Sequence, residues 1–135
     1  MHEMGVVIQI VKTADSFARE NGITKVKSLT VQIGEASAVL PRYVKLFFPE
    51  VVKDYPALHD CEIRTELVPI KLFCFDCGNS WYPGNGAAPD EEEFDIGDGP
   101  AHREADNSIR CPECSGAKYR FIEGKNIMVK EMEAV

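Results

Sequence analysis

Four of the five cysteines stand in two close pairs, Cys74-x2-Cys77 and Cys111-x2-Cys114. No other feature narrows the possible folds so far. Each CxxC bends into a knuckle whose two sulfurs face one point, and two knuckles brought together close a tetrahedral S4 site. Such a site suits zinc and leaves no coordination position for a substrate. A redox CxxC needs only one pair and usually a thioredoxin-like βαβ setting, neither of which fits. An odd cysteine count in CxxC form reads as metal binding in a reducing compartment, not as a disulfide framework. Cys61, the odd one, reads as a small buried apolar residue.

A module around such a site, within 135 residues, has too little core to stand alone, so the metal acts as its staple. The length suits one domain or two very small ones. The net charge of −7 becomes about −9 once four thiolates hold a divalent ion. A phosphate backbone is repelled by that balance, which argues against nucleic acid as a partner. No run of about 18 apolar residues exists to span a membrane, and no basic region precedes an apolar stretch as in a signal peptide. The expected location is the cytoplasm.

Met4, Val7, Ile8, Val11, Ala14 and Ala18 recur at helical spacing, and Asn21-Gly22 supplies a stop, so a helix is expected from Met4 to Asn21. Leu29, Val31 and Ile33 alternate with Thr30 and Gln32, as in a strand ending at Gly34. Pro41 can open a second helix, with Tyr43, Val44, Phe47, Val51 and Val52 as its apolar face and Pro49 kinking or shortening it. A second strand is expected from Cys61 to Lys71, with Pro69 bending it or placing it near an edge. From Phe73 to Gly124 the chain is rich in Gly, Pro and charge. Periodicity returns at Asn126 to Met132, where Ile127 and Val129 suggest a last strand.

The expected fold class is therefore α+β, a small helix-and-sheet domain (residues 1–72 plus 125–135) with an inserted zinc-ribbon module (residues 73–124) carrying rubredoxin-like knuckles. The module does resemble rubredoxin, whose four sulfurs hold iron. The features are Cys77-Gly78, Trp81-Tyr82-Pro83, and Cys111-Pro112-x-Cys114 followed by Lys118 and Phe121, with a spacer near rubredoxin length. The rest of an aromatic core is not evident in that spacer, and the first 70 residues would go unexplained. A zinc ribbon is the better reading.

Met1-His2-Glu3 is the second chemical signal. A histidine at position two is by itself usually incidental. Yet the Met1 amine, the His2 amide nitrogen and His2 Nδ1 can close a five-membered and a six-membered chelate ring in one plane. Planar nitrogen coordination suits Ni(II) or Cu(II) more than zinc. A fourth donor must come from the Glu3 backbone nitrogen, another side chain or water.

With these motifs together the chain resembles the HypA/HybF family of hydrogenase nickel-insertion proteins, over nearly its whole length. The resemblance rests on Met1-His2-Glu3 opening an apolar helix, on Val31-Gln32-Ile33-Gly34-Glu35, and on Leu72-Phe73-Cys74-x2-Cys77. Cys111-Pro112-x-Cys114 and the closing Gly124-x2-Ile127-Met128-Val129-x-Glu131-Met132 continue it. It implies nickel at His2 and Glu3, beside Met1, and structural zinc on Cys74, Cys77, Cys111 and Cys114. It further implies docking to a nickel-handling GTPase and delivery of Ni(II) to the large subunit of a [NiFe] hydrogenase, or in some relatives to urease. A metallochaperone of this kind is a carrier and not an enzyme, working as a monomer or weak homodimer.

Two features depart from the family pattern. The gap between the cysteine pairs is extended by Pro83 to Asn107, including the acidic Asp90-Glu91-Glu92-Glu93, which reads as a solvated loop or as a partner-docking or metal-relay segment. Leu40 and Pro41 stand where some relatives carry an acidic residue, leaving Glu35 as the nearby carboxylate, read here as ending the strand. His59 reads as a surface histidine and Trp81 as packing on the cysteine module. His102 reads as solvent-facing or, alternatively, as a swinging nickel ligand. Two other functional classes stay open: an iron electron carrier of rubredoxin type and a zinc-ribbon adaptor that only binds protein.

Overall fold

The computed structural model describes residues 3–84 and 109–135. Helix α1 (Glu3–Glu20) buries Val6, Val7, Ile10, Val11, Ala14 and Ala18; of the stripe read from the sequence, Val7, Val11, Ala14 and Ala18 are buried while Met4 and Ile8 stand exposed, because the buried arc is turned toward Val6 and Ile10 instead. It ends in a Schellman arrangement. Ile23 N–H donates to Ala18 O at 2.8 Å and Gly22 N–H to Arg19 O at 3.3 Å, with Gly22 in the left-handed region at φ 67°. Strand β1 (Val26–Gly34) follows, and after a 3-10 turn over Glu35–Ser37 comes helix α2 (Pro41–Val51). Pro41 occupies the first turn of α2, where its missing N–H costs nothing. Pro49 lies inside α2, and the helix gives way to a 3-10 turn from Val52, so the shortening expected there is observed.

The second expected strand divides. Strand β2 (Glu62–Val68) ends before Pro69, and strand β3 (Lys71–Cys74) begins after Ile70 in a different sheet. Pro69 marks the passage between the two sheets. Strands β4 (Ser80–Trp81), β5 (Tyr119–Glu123) and β6 (Ile127–Ala134) complete the described elements. The first sheet has the order β2-β1-β6, with β1 parallel to β2 and antiparallel to β6. The second sheet, β4-β3-β5, is antiparallel throughout. The chain's return as β6 thus completes the first sheet, as expected from the sequence.

Two cores result. The larger is built from α1, α2 and β1, with Leu58 of a 3-10 turn and Leu67 of β2, and Ile127, Val129 and Met132 of β6 pack against it. The smaller centres on Ile70, Leu72 and Ile109, with Trp81, Tyr119 and Phe121 against them. Ala36 also packs on this second core, so the turn after β1 reaches from one sheet to the other.

Candidate metal centre

Cys74 closes β3, and the chain turns back at once. Gly78 N–H donates to Cys74 O at 2.9 Å, Cys74 N–H donates to Asn79 O at 2.8 Å, and Gly78 has φ 77°. The second knuckle repeats this pattern residue for residue. Ser115 N–H donates to Cys111 O at 2.9 Å, Cys111 N–H donates to Gly116 O at 3.0 Å, and Ser115 has φ 62°. In both knuckles the fourth residue after the first cysteine is left-handed. Glycine accepts that conformation freely and serine only when the surrounding hydrogen bonds hold it.

The two knuckles face each other. The four sulfurs all lie within 4.8 Å of one another, with Cys74 Sγ to Cys114 Sγ and Cys77 Sγ to Cys111 Sγ both 3.6 Å. A zinc ion with sulfurs at about 2.3 Å has tetrahedral edges of about 3.8 Å, so the donor set fits such an ion. At 3.6 Å the sulfurs are far outside disulfide bonding distance. Cys74 and Cys111 are buried while Cys77 and Cys114 are exposed, so each knuckle turns one sulfur to the core and one to solvent.

Without a cation the thiols hold their protons unequally. Burial raises the Cys111 thiol, but N–H groups of Cys114 and Glu113, with the Cys77 and Asn79 side chains, outweigh it and bring Cys111 down to about 6. Cys77 gains from the Asn79 N–H, but burial and the shared protons of the other three thiols push it up to about 12. Cys114 receives the Gly116 N–H, yet it too is raised, by Cys74 and by burial. A cation at the centre can displace all these protons at once, which a thiol cluster alone cannot do.

Trp81 packs on this module as expected. It meets Tyr119 edge-on at 6.4 Å, and Tyr119 lies 6.3 Å from Phe121. The aromatic core missing from the spacer is therefore supplied largely by β5. The alternation of Tyr119 and Phe121 is the sequence signal for this strand, set within a stretch rich in Gly, Pro and charge.

Glu3 is the first residue of α1, where an acidic side chain suits the helix dipole. Met1, His2, His102 and Asp90-Glu91-Glu92-Glu93 lie outside the described residues. A groove of about 800 Å³ runs between α1 and β6 close to this end, lined by Gly5, Val6 and Gln9 on one side and Ile127, Met128 and Val129 on the other. The Glu35 carboxylate accepts the Ile70 N–H at 3.3 Å, a structural use in keeping with its expected role. His59 Nε2 lies 2.9 Å from Lys53 O on the surface. Cys61 is only half-buried, because it stands just ahead of the edge strand β2. Burial and the neighbouring Glu62 still push its thiol up to about 11.

Comparison with known proteins gives one consistent picture. The family model described as "Hydrogenase/urease nickel incorporation, metallochaperone, hypA" matches residues 1–134. A hydrogenase maturation factor HypA from Desulfatibacillum aliphaticivorans is 30% identical, over 98% of this chain and 86% of its own length. One from Moorella thermoacetica is 26% identical, over 96% of this chain and 95% of its own. The solution structure of the nickel metallochaperone HypA from Helicobacter pylori superposes with a TM-score of 0.69 at 18% identity, covering 100% of this chain and 98% of the other, a likeness of fold. The chain belongs to the HypA family of hydrogenase and urease nickel-incorporation metallochaperones.

Proposed function

We propose that this protein carries Ni(II) to an assembling [NiFe] hydrogenase, and in a second role to urease, and that a separate zinc ion on Cys74, Cys77, Cys111 and Cys114 is structural. The observation that carries the reading is the family match over residues 1–134, which takes in both Met1-His2-Glu3 and the four-sulfur cluster. It favours a carrier over a rubredoxin-type electron carrier or a zinc-ribbon adaptor. The metals are sorted by geometry: four convergent thiolates favour the tetrahedral ion, and a planar nitrogen set favours nickel. A closed S4 site has no open position for chemistry, so the work is transfer of cargo and not catalysis.

Nickel, the cargo, binds through the Met1 amine and His2, with Glu3 supplying its backbone nitrogen or stabilising the site. Since Glu3 already belongs to α1, the donors are joined directly to a helix anchored by its buried face. The nickel-binding half comprises residues 1–72 and 125–135, and the zinc module residues 73–124. Two sheets with two separate apolar clusters support two such halves, with Ile70 and Leu72 already on the second side of the passage at Pro69. A nickel-handling GTPase and the hydrogenase large subunit are the partners, in the cytoplasm. Among the described residues, no helix is long and apolar enough to cross a membrane.

Calorimetry on untagged protein, protein with a tag ahead of Met1, and His2→Ala, at matched zinc content, tests the reading. The tag converts the amine to an amide, so it and His2→Ala should each weaken nickel binding and leave zinc in place. Affinity should also fall as pH drops through the imidazole range, because binding displaces protons from the donors. Equal nickel affinity in all three proteins removes the N-terminal site.

A further inference from the structure

The second sheet has two faces of opposite character. Trp81 and Phe121 stand opposite Leu72 in register, and with Tyr119 they pack on the core. The residues that alternate with them fall on the other face. There Arg120 of β5 stands opposite Phe73 of β3, and Phe75 follows Phe73 at the next alternate position. The Arg120 guanidinium lies 5.3 Å from the Phe73 ring centroid, and Lys71 Nζ lies 5.4 Å from that of Tyr82. Phe75 meets Phe73 edge-on at 5.9 Å and is 59% exposed, while Tyr82 is 39% exposed.

The chain is rich in carboxylates, with 22 Asp and Glu against 15 Lys and Arg. On the first sheet they meet the cations: Lys130 pairs with Glu66, and Arg64 with Glu62 and Glu133. The outer face of the second sheet is different. Among the described residues no carboxylate pairs with Lys71 or Arg120, and even Glu123, opposite Lys71 in register, closes no ion pair with it. We infer that this face docks an acidic peptide segment of a partner protein, which sets carboxylates on Lys71 and Arg120 and an apolar side chain against Phe75. A cation stacked on a ring keeps its charge and its outward N–H groups. The ring also holds it in place, so less side-chain freedom is lost when a carboxylate arrives. Arg120 can take that carboxylate with two parallel N–H bonds.

The chemistry favours a peptide over a nucleic-acid strand. Bases need bare ring faces to stack on. Here Arg120 lies over Phe73 and Lys71 over Tyr82, and the net charge of −7 repels phosphate. With two cations and a few rings the contact is small, so the affinity is low, with a Kd on the order of 100 µM. None of these residues is a metal ligand, so peptide binding and nickel binding succeed or fail independently.

Fluorescence anisotropy on the zinc-loaded full chain, at about 0.05 M and 0.5 M salt, tests the proposal with three labelled probes. They are the peptide Gly-Glu-Phe-Glu-Leu-Glu-Gly, its counterpart with Gln for every Glu, and a short oligothymidylate. The wild type should bind the acidic peptide, more weakly at high salt, and the Gln peptide at least roughly tenfold more weakly. Lys71→Glu and Arg120→Glu should each weaken binding severalfold. Lys12→Glu, exposed on α1, changes the net charge equally and should leave binding unchanged. Phe75→Ser should weaken binding severalfold with zinc content unchanged, because its side chain is mostly in solvent. A wild type that binds no acidic peptide overturns the proposal. So does an equal loss in Lys12→Glu, which would reduce the effect to net charge. Tighter binding of the oligothymidylate overturns it in favour of nucleic acid. A wild type that binds only after Asp90, Glu91, Glu92 and Glu93 are replaced by their amides also overturns it, since the chain's own acidic run would then be the occupant.

Discussion

The Glu35 carboxylate accepts the backbone N–H of Ile70 at 3.3 Å, across the point where the chain passes from the first sheet to the second. Beside it, Gly34 N–H donates to Asn126 O at 2.9 Å and Ala36 N–H donates to Gly124 O at 2.8 Å. The turn after β1 is thus fastened to both strands of chain that join the two sheets. Ile70 is almost fully buried, so its N–H has little water to turn to if the carboxylate is lost.

Replacing Glu35 should therefore cost stability. Glu35→Ala leaves a buried donor unsatisfied and is expected to lower unfolding free energy by about 1–3 kcal/mol. Glu35→Gln keeps an acceptor oxygen in the same place and should recover most of that loss. Urea denaturation of both variants checks the pair. Nickel affinity should be nearly the same in Glu35→Gln as in wild type. A large loss there would show the carboxylate acting as a metal ligand instead.

Gly124 is required by conformation and by space together. It has φ 85°, and a Cβ there would lie 2.6 Å from Ile70 Cα and 2.7 Å from Pro69 O, both backbone atoms that cannot swing aside. Gly124→Ala should destabilise by more than the ~1 kcal/mol typical of a left-handed site alone. Gly22 has a similar φ of 67° but nothing within 4 Å of its Cβ position. Gly22→Ala should cost only the backbone strain, and thermal melts of the two variants should separate clearly.

Cys61 sets a limit on alkaline stability. Burial, and then Glu62, favour its neutral thiol and raise it from 9.0 to about 11. A group raised in the folded state contributes fully below its unfolded value and loses that contribution as pH rises through its folded value. The window here is pH 9 to 11, and Cys61→Ala should flatten stability across it relative to wild type. At pH 8 the thiol should alkylate more slowly than an unperturbed cysteine, which mass spectrometry of zinc-loaded protein after timed iodoacetamide treatment measures.

Much of this was legible in the sequence because the informative patterns are local. The helical repeat of α1 and its Asn21-Gly22 stop gave the helix to within a residue at each end. The knuckles could be read from spacing, since the chemistry of CxxC lies within four residues. Non-local features were hidden. Strand β1 begins at Val26, earlier than Leu29, because pairing on both sides buries the polar Ser28 and Thr30 as well. The division at Pro69 depended on which sheet each half would join. Strand β5 spans only five residues between turns that carry Gly116 and Gly124, and its alternation gained meaning only once Cys74 and Leu72 stood opposite Tyr119 and Phe121. The partner of Glu35 lies 35 residues away, and no local pattern points to it.

Metal removal should separate the two halves. Among the described residues, the second sheet has a core of three buried apolar residues with a few aromatics against them, too little to order it alone. A closed zinc–thiolate site contributes on the order of 10 kcal/mol or more to folding, so the module should lose its structure when the ion leaves. The first sheet has its own larger core beneath α1 and α2, and should survive. The lone tryptophan gives a clean readout, because Trp81 packs against Tyr119 in the second core while, among the described residues, both α-helices lie in the first half. Titrating a chelator should shift Trp81 fluorescence toward that of an exposed indole while the helical circular dichroism holds. Cys74→Ala should produce the same state without chelator. Zinc needs all four thiols deprotonated, so the chelator concentration required should fall as pH is lowered. Elemental analysis should find one zinc per chain beforehand. Loss of both signals at one chelator concentration would show the halves folding as a single unit, held together through Glu35, Ile70 and Gly124.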